Sequence, residues 1–338
     1  MSERATPQRT LLRDVAERAG VSAMTVTRTL RQPEKVAKGT RARVEAAVRE
    51  LGYTPDLNAR GLASRKSGLV AAIVPLLTNS LIAEIVQGLT DALSEHDFQL
   101  LIGASGFDAV AEESLIREFL SRRVDALFLT GTERTPAAIR MLKRSRLPVV
   151  EGGNLSARPI DMVVGYSNVR AAMEISHHLI EHHKGPVGYI GATPRNNDRA
   201  RDRRRGFEAA CAAARRRVDP RHCIETRLDL VAGAEAMAAL ILRKPRVRAV
   251  FCSADVLAVG AMFECGRQQL AIPRDVAVAG FDDLDIAGQI VPALTTLRVP
   301  RYAIGRQAGT MICERLAGQR VAERVVDVGY RLVVRDSA

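Results

Sequence analysis

No stretch of 18 consecutive apolar residues occurs in this 338-residue sequence, and its first residues are polar and charged. That pattern speaks against a membrane-spanning helix and against a secretory leader. Cysteine is sparse: Cys211, Cys223, Cys252, Cys265 and Cys313 are odd in number and include no CxxC pair. Reduced, buried thiols in a cytoplasmic protein therefore fit better than a disulfide framework. Catalytic signatures are missing too. There is no P-loop, nucleophile elbow, HExxH or dinucleotide glycine fingerprint, and Asp282-Asp283 alone does not make a catalytic dyad. Four of the six histidines cluster at His177, His178, His182 and His183. His178 and His182 are one helical turn apart, a spacing that suits zinc, but no second ligand group accompanies them. No metal, other cofactor or enzymatic activity is expected.

What is present is concentrated at the front. Residues 1–66 hold 14 Lys and Arg against 7 Asp and Glu, so they carry +7 of the chain's net +12, and the other 272 residues carry only +5. Basic charge so placed suits contact with a phosphate backbone. Within this stretch Leu12, Val15, Ala16 and Ala19 fall at i, i+3, i+4 and i+7, the apolar stripe of a short helix. Gly20 can end that helix with a positive φ. Ser22 then suits the N-cap of a second helix, with Val21 and Val26 placed to staple across it. Val26 and Leu30 are expected on the buried side of this second helix, and Ala23, Met24, Thr27, Arg28 and Arg31 mostly on its open side. Val44, Ala47, Val48 and Leu51 make another stripe, closed by Gly52. The pattern is a helix-turn-helix with a supporting third helix, and its second helix can enter a DNA major groove about 12 Å wide.

Beyond residue 67 short aliphatic runs alternate with amphipathic stretches. Strands are expected at 69–74, 99–103, 125–130, 148–151, 186–191, 248–253 and 276–281. Helices are expected at 80–95, 109–121, 168–182, 200–216, 233–243 and 255–269. Such alternation implies parallel sheets covered by helices, so the fold class is α/β behind an all-α N-terminal head, and two sheets fit the length. Ligands of such sheets sit beyond the C-terminal ends of the strands, and a cleft between two sheets is a natural small-molecule site.

Residues 12–64, LRDVAERAGVSAMTVTRTLRQPEKVAKGTRARVEAAVRELGYTPDLNARGLAS, resemble the lactose-repressor (LacI/GalR) family of bacterial transcription regulators. The resemblance continues through VPLLTNSLIAEIVQGL, FLTGTERTP, LPVVEGG, VFCSADVLAVGAMFECGRQQLAIP, VAVAGFDDLDIAG and VPRYAIG, runs most similar to the gluconate-operon repressors of that family. It implies a helix-turn-helix domain over 1–53, a hinge helix or linker over 54–67, and a periplasmic-binding-protein-like core for effector binding and dimerisation over 68–338. The core would have two subdomains, about 68–166 with 297–325 and about 167–296 with 326–338. It further implies a homodimer on a pseudo-palindromic operator, with Ala59 and Leu62 of the hinge in the minor groove and the leucine wedged between base pairs. Ser22, Thr25 and Thr27 would position the recognition helix on phosphates, and Arg28 and Arg31 would reach base edges or phosphates. Ala23 and Met24 hold the positions that vary operator choice within the family, and their apolar surface suits thymine methyls.

For the effector, the resemblance implies Arg203, just after the strand PVGYIG, and Asp282, just after VAVAGF. It adds Asn154 after LPVVEGG, and Asn79, Leu81 and Ile82 as the wall from the first subdomain. A guanidinium fork suits a carboxylate or vicinal hydroxyls. The chain departs from the family at Ser253-Ala254-Asp255, where Asn-Asp is usual, so a polar ligand contact at 254 is absent. With six arginines between 195 and 205, an anionic effector is expected. A sugar acid such as gluconate, or a keto or phosphorylated relative, would release the repressor from its operator. A ligand-dependent activator or co-repressed regulator would share this sequence pattern. A sugar-acid-binding protein or enzyme without a DNA role would share the core alone.

Overall fold

The computed structural model describes residues 10–53, 67–77 and 80–338, and contacts divide the chain into two compact units, Met1–Ser67 and Gly68–Ala338. In the first unit, α1 (Leu12–Ala19) buries Val15, Ala16 and Ala19 and ends at Gly20, whose φ is 65°. The side chain of Ser22 accepts the amide of Thr25 at 3.1 Å and starts α2 (Ala23–Arg31). A short 3-10 turn, Pro33–Lys35, leads to α3 (Lys38–Glu50), which buries Val44 and Ala47. Val15, Ala16, Ala19, Val26, Val44 and Ala47 form one small core, flanked by Leu12, Val21, Val48, Leu51 and Tyr53. One expectation fails here. Leu30 is 37% exposed, and Thr29 takes the buried place beside Val26. The turn that packs on α1 and α3 presents its i+3 position rather than i+4. Thr29 tolerates burial because its hydroxyl donates to the Thr25 carbonyl at 2.8 Å.

The second unit begins with β1 (Leu69–Val74), α4 (Ser80–Ser94), β2 (Gln99–Ala104), α5 (Ala109–Ser121), β3 (Ala126–Thr130), α6 (Pro136–Ser145), β4 (Val149–Gly152) and β5 (Met162–Gly165). It continues with α7 (Asn168–His182), β6 (Val187–Ala192), α8 (Asp198–Ala213), β7 (Cys223–Thr226), α9 (Leu230–Ile241), β8 (Ala249–Cys252), α10 (Asp255–Arg267) and β9 (Ala277–Ala279). The last elements are β10 (Thr296–Arg298), α11 (Arg301–Leu316), β11 (Val325–Asp327) and β12 (Arg331–Val333). Strands pair in the order β11-β5-β4-β3-β1-β2 in one sheet and β7-β6-β8-β9 in another, and every pairing within these two sheets is parallel. The fold is α/β, as the alternation of aliphatic runs and helices requires.

Each sheet is the floor of a lobe. The chain leaves the first lobe after Gly165 and enters α7. It returns between Arg298 and Arg301 so that α11 packs on α4, and leaves again after β11. An antiparallel pair, β10 with β12, lies at this crossing, with Thr296 opposite Val333. That small sheet was not expected from the sequence, because three-residue strands carry no readable alternation. Helices Pro136–Ser145 and Arg301–Leu316 and the strands β5 and β7 also add to the predicted set. Among the described residues no helix is long and apolar enough to cross a membrane.

Candidate functional site

In the first unit, the open face of α2 carries Ser22, Ala23, Met24 and Arg28, all exposed, with Met24 at 72%. Thr25 and Thr27 are half-buried. Their hydroxyls are held locally: Thr27 donates to the Ala23 carbonyl at 2.9 Å, and the hydroxyls of Ser22 and Thr25 lie 2.9 Å apart. Two threonines and a serine thus brace the helix, leaving a methyl, a thioether and a guanidinium outward. The side chain of Arg31, and Ala59 and Leu62 altogether, lie outside the described residues.

In the second unit, a cavity of about 200 Å³ opens where the C-terminal ends of the two large sheets face each other. Pro75 follows β1, Thr130 ends β3, Gly153 follows β4 and Tyr166 follows β5; Ala192, Ser253 and Asp282 come from the ends of β6, β8 and β9. This is the place where parallel sheets leave backbone and loop groups free to converge on a ligand.

Arg203, on α8, is the centre of its polar wall, with its side chain only 11% exposed. Its Nε donates to Asn168 Oδ1 at 2.9 Å, Nη1 to the Ser253 carbonyl at 2.6 Å, and Nη2 to the Tyr166 hydroxyl at 3.0 Å. Its guanidinium carbon lies 3.8 Å from the centroid of the Phe281 ring, which adds a cation–π contact. Asp282 Oδ1 accepts from Nη2 at 3.4 Å, while Asp282 Oδ2 is buried with no hydrogen-bond partner. Burial pushes the Asp282 carboxyl up to about 7, against the pull of Arg203. The same cause raises its neighbour Asp255 to about 6, although Thr296 and the Leu284 amide hydrogen-bond to it. The backbone of Asp282 has φ 120°, a strained region for a non-glycine residue that is found where a side chain must be aimed.

Two further arginines reach the cavity. Arg199 lines it, with Nη1 2.9 Å from Asp198 Oδ1. Burial works against ionised Asp198, but Arg199, Asn154 and Thr132 outweigh it and hold the carboxyl down at about 2. Arg301, at the start of α11, bonds Glu84 on α4 through Nε at 3.0 Å and the Asp282 carbonyl through Nη1. It thereby ties α4 of the first lobe to the strand end that carries Asp282.

Of the residues expected at the effector site, the structure brings Arg203, Asp282 and Ile82 to one cavity, with Ala254 in its wall. Asn154 stands behind that wall. Its amide nitrogen donates to Asp198 at 3.1 Å and Asp202 at 2.8 Å, and its oxygen accepts from Asn168, so it holds the loops in place. Asn79 and the side chain of Leu81 lie outside the described residues. Sequence reasoning did not single out Tyr166, Asn168 or Arg301. The first two follow MVVG, an apolar run too short to read as a strand, and Arg301 was visible only as one letter of VPRYAIG. The histidine cluster is used locally: His178 Nε2 lies 3.3 Å from the Ala338 carbonyl, and His182 Nδ1 2.8 Å from that of His178. Among the described residues no group of three His, Cys, Asp or Glu is placed to hold a metal ion.

Residues 11–56 match the family described as "Bacterial regulatory proteins, lacI family", and residues 176–338 match a "Periplasmic binding protein-like domain". The chain is 32% identical over 325 residues to the "HTH-type transcriptional regulator GntR" of Escherichia coli, covering 96% of this chain and 97% of that one. It is 35% identical over 340 residues to a regulator of the same name from Pseudomonas aeruginosa, covering 98% and 96%. A solved structure of a LacI-family transcriptional regulator from Silicibacter pomeroyi, 32% identical, superposes with a TM-score of 0.90 over 97% of this chain and 99% of that one. The chain belongs to the LacI family of DNA-binding transcriptional regulators, with an effector-binding core behind its helix-turn-helix, and is not an enzyme.

Proposed function

We propose that the protein is a repressor that binds a pseudo-palindromic operator as a homodimer and leaves it when an anionic small molecule, a sugar acid such as gluconate or a keto or phosphorylated relative, enters the core. The observation that carries this reading is the pair at the cavity wall. Arg203 is a cation seated on Phe281, and Asp282 keeps one buried oxygen without a partner. A buried acceptor left open is costly unless something fills it, and a ligand hydroxyl fits that need. Arg199 and Arg203 together suit a carboxylate. Such a regulator acts in the cytoplasm, on DNA. On the operator side, the exposed Met24, Ala23 and Arg28 would face the major groove, and Ala59 and Leu62 the minor groove.

Coupling follows from the connection of the lobes. A ligand that draws Asp282 or Arg203 moves the Arg301–Glu84 tie and with it α4. It can shift the equilibrium only by its differential affinity for the two states. The test is operator binding, measured by fluorescence anisotropy on a duplex selected from a random pool, with and without gluconate. Gluconate is expected to weaken binding by roughly 5–150-fold, an ordinary allosteric coupling. Arg203→Ala should still bind the duplex and lose the response; a variant that responds like the parent would remove Arg203 from the site.

A further inference from the structure

The cavity at Arg203 does not end the cleft. A second cavity of about 270 Å³ adjoins it, and the two share Pro75, Phe107, Thr130 and Arg199 as a common waist. Their walls differ in chemistry. Around Arg203 and Asp282, the first is lined by Ile82, Ile85, Val256, Leu284, Val299 and Ile304. Ala254 continues that apolar surface. A hydroxyl pressed against the aliphatic part of that wall, away from Asp282, gives up water and gains no partner.

The second cavity is lined by Ser105, Asp108, Glu112, Thr135, Asn196 and Arg201 among its polar groups. Two of its donors, those of Arg134 and Thr135, are used within the protein. Arg134, 1% exposed, pairs with Glu151 at 2.6 Å and Glu112 at 3.1 Å, and the Thr135 hydroxyl donates to Glu113 at 2.7 Å. One of its carboxylates, Asp108, is less fully used. Asp108 caps α5 through one oxygen, which accepts from Val110 at 2.7 Å, and a carboxylate has about four acceptor sites. The second cavity therefore favours a donor-rich group, and hydroxyls are the neutral choice. At the waist Arg199 supplies a cation.

We infer that the effector spans both cavities and is amphipathic along its length: an acid end with few hydroxyls on the carbons beside the carboxylate, held against Arg203 and Arg199 in the apolar cavity, and a polyhydroxylated end in the polar one. Among sugar acids this is the keto-deoxy class rather than the fully hydroxylated aldonic acids. The inference rests on the reading of Arg203 as the acid-binding residue.

The experiment is isothermal titration of the full chain with 2-keto-3-deoxygluconate, 2-ketogluconate and gluconate. The keto-deoxy acid is expected to bind at least about tenfold tighter than gluconate, the effect of one unpaired hydroxyl removed from an apolar wall. Val256→Thr, a change of nearly the same shape that offers that wall a hydroxyl, should narrow the gap. Ala109→Phe, which fills the polar cavity from the start of α5, should weaken the keto-deoxy acid at least about tenfold. Gluconate binding as tightly as the keto-deoxy acid, or an Ala109→Phe variant that binds like the parent, would overturn the two-cavity inference and leave the acid reading standing. Failure of all three acids to bind would overturn both.

Discussion

Asp282 is a buried carboxyl in the cavity wall, in contact with Arg203. It is 2% exposed, and burial holds its carboxyl near 7 and that of Asp255 near 6, both raised from about 3.8. Raised acids bind more protons in the folded state than in the unfolded one between about pH 4 and 7. Their effect is that stability falls as pH rises through that window and levels above it. Asp282→Asn removes one of the two groups, so its thermal midpoint should decline less steeply between pH 5 and 7 than that of the parent. Parallel slopes for the two proteins would show that Asp282 is ionised throughout. At this scale the sequence was legible where a polar residue follows an obvious strand: Arg203 lies beyond PVGYIG and Asp282 beyond VAVAGF. It was not legible for Asn154, whose place after a strand is the same but whose amide is used up by Asp198, Asp202 and Asn168. Which polar group lines the cavity and which faces a neighbour is decided by a helix distant in sequence, and no spacing rule reports it.

Helix pairs show the same limit at the next scale. Gly88 and Gly305 lie inside α4 and α11, where glycine costs about 1 kcal/mol relative to alanine. In the structure they are where α4 and α11 touch. A Cβ on Gly305 would stand 1.9 Å from the Ile85 carbonyl oxygen, and one on Gly88 2.2 Å from that of Tyr302. Gly305→Ala must push the two helices apart, and the cost is expected to be about 1–3 kcal/mol or more by urea unfolding. Gly266→Ala is the control: it lies in α10, and a Cβ there meets nothing within 4 Å. It should be neutral or stabilise by up to about 1 kcal/mol. Equal effects for the two substitutions would mean that helix propensity, and not the close approach, governs Gly305. Burial did not decide which strands were readable: β2, largely unburied, was legible as QLLIG, and β5, buried throughout, was not. LVAAIV, buried along almost its whole length between helix layers, announces itself, whereas the three-residue β10, β11 and β12 are set by where the chain crosses between lobes. In the first unit, Ser22→Ala should cost about 1 kcal/mol of head stability through loss of the cap to Thr25.

The division of the chain into Met1–Ser67 and Gly68–Ala338 has a consequence for the whole molecule. Each unit has its own apolar core: Val15, Val26 and Val44 with their neighbours in the first, and the sheet and helix residues around Phe128, Phe207 and Phe251 in the second. Among the described residues the two cores share no member, and the excess basic charge sits in the first unit. A fragment comprising 68–338 should therefore fold cooperatively, lose operator binding, and keep the thermal stabilisation expected of the proposed acid effector on the full chain. That stabilisation scales as RT ln(1 + [L]/Kd), about 2.7 kcal/mol at a ligand concentration 100 times Kd. A thermal-shift titration of fragment and full chain side by side measures it, and the two midpoints should rise in parallel. A fragment that folds but no longer responds would mean that the first unit helps to build the ligand site, and the switch would then have to be sought in contacts between the units and not in the Arg203–Asp282–Arg301 chain of the core.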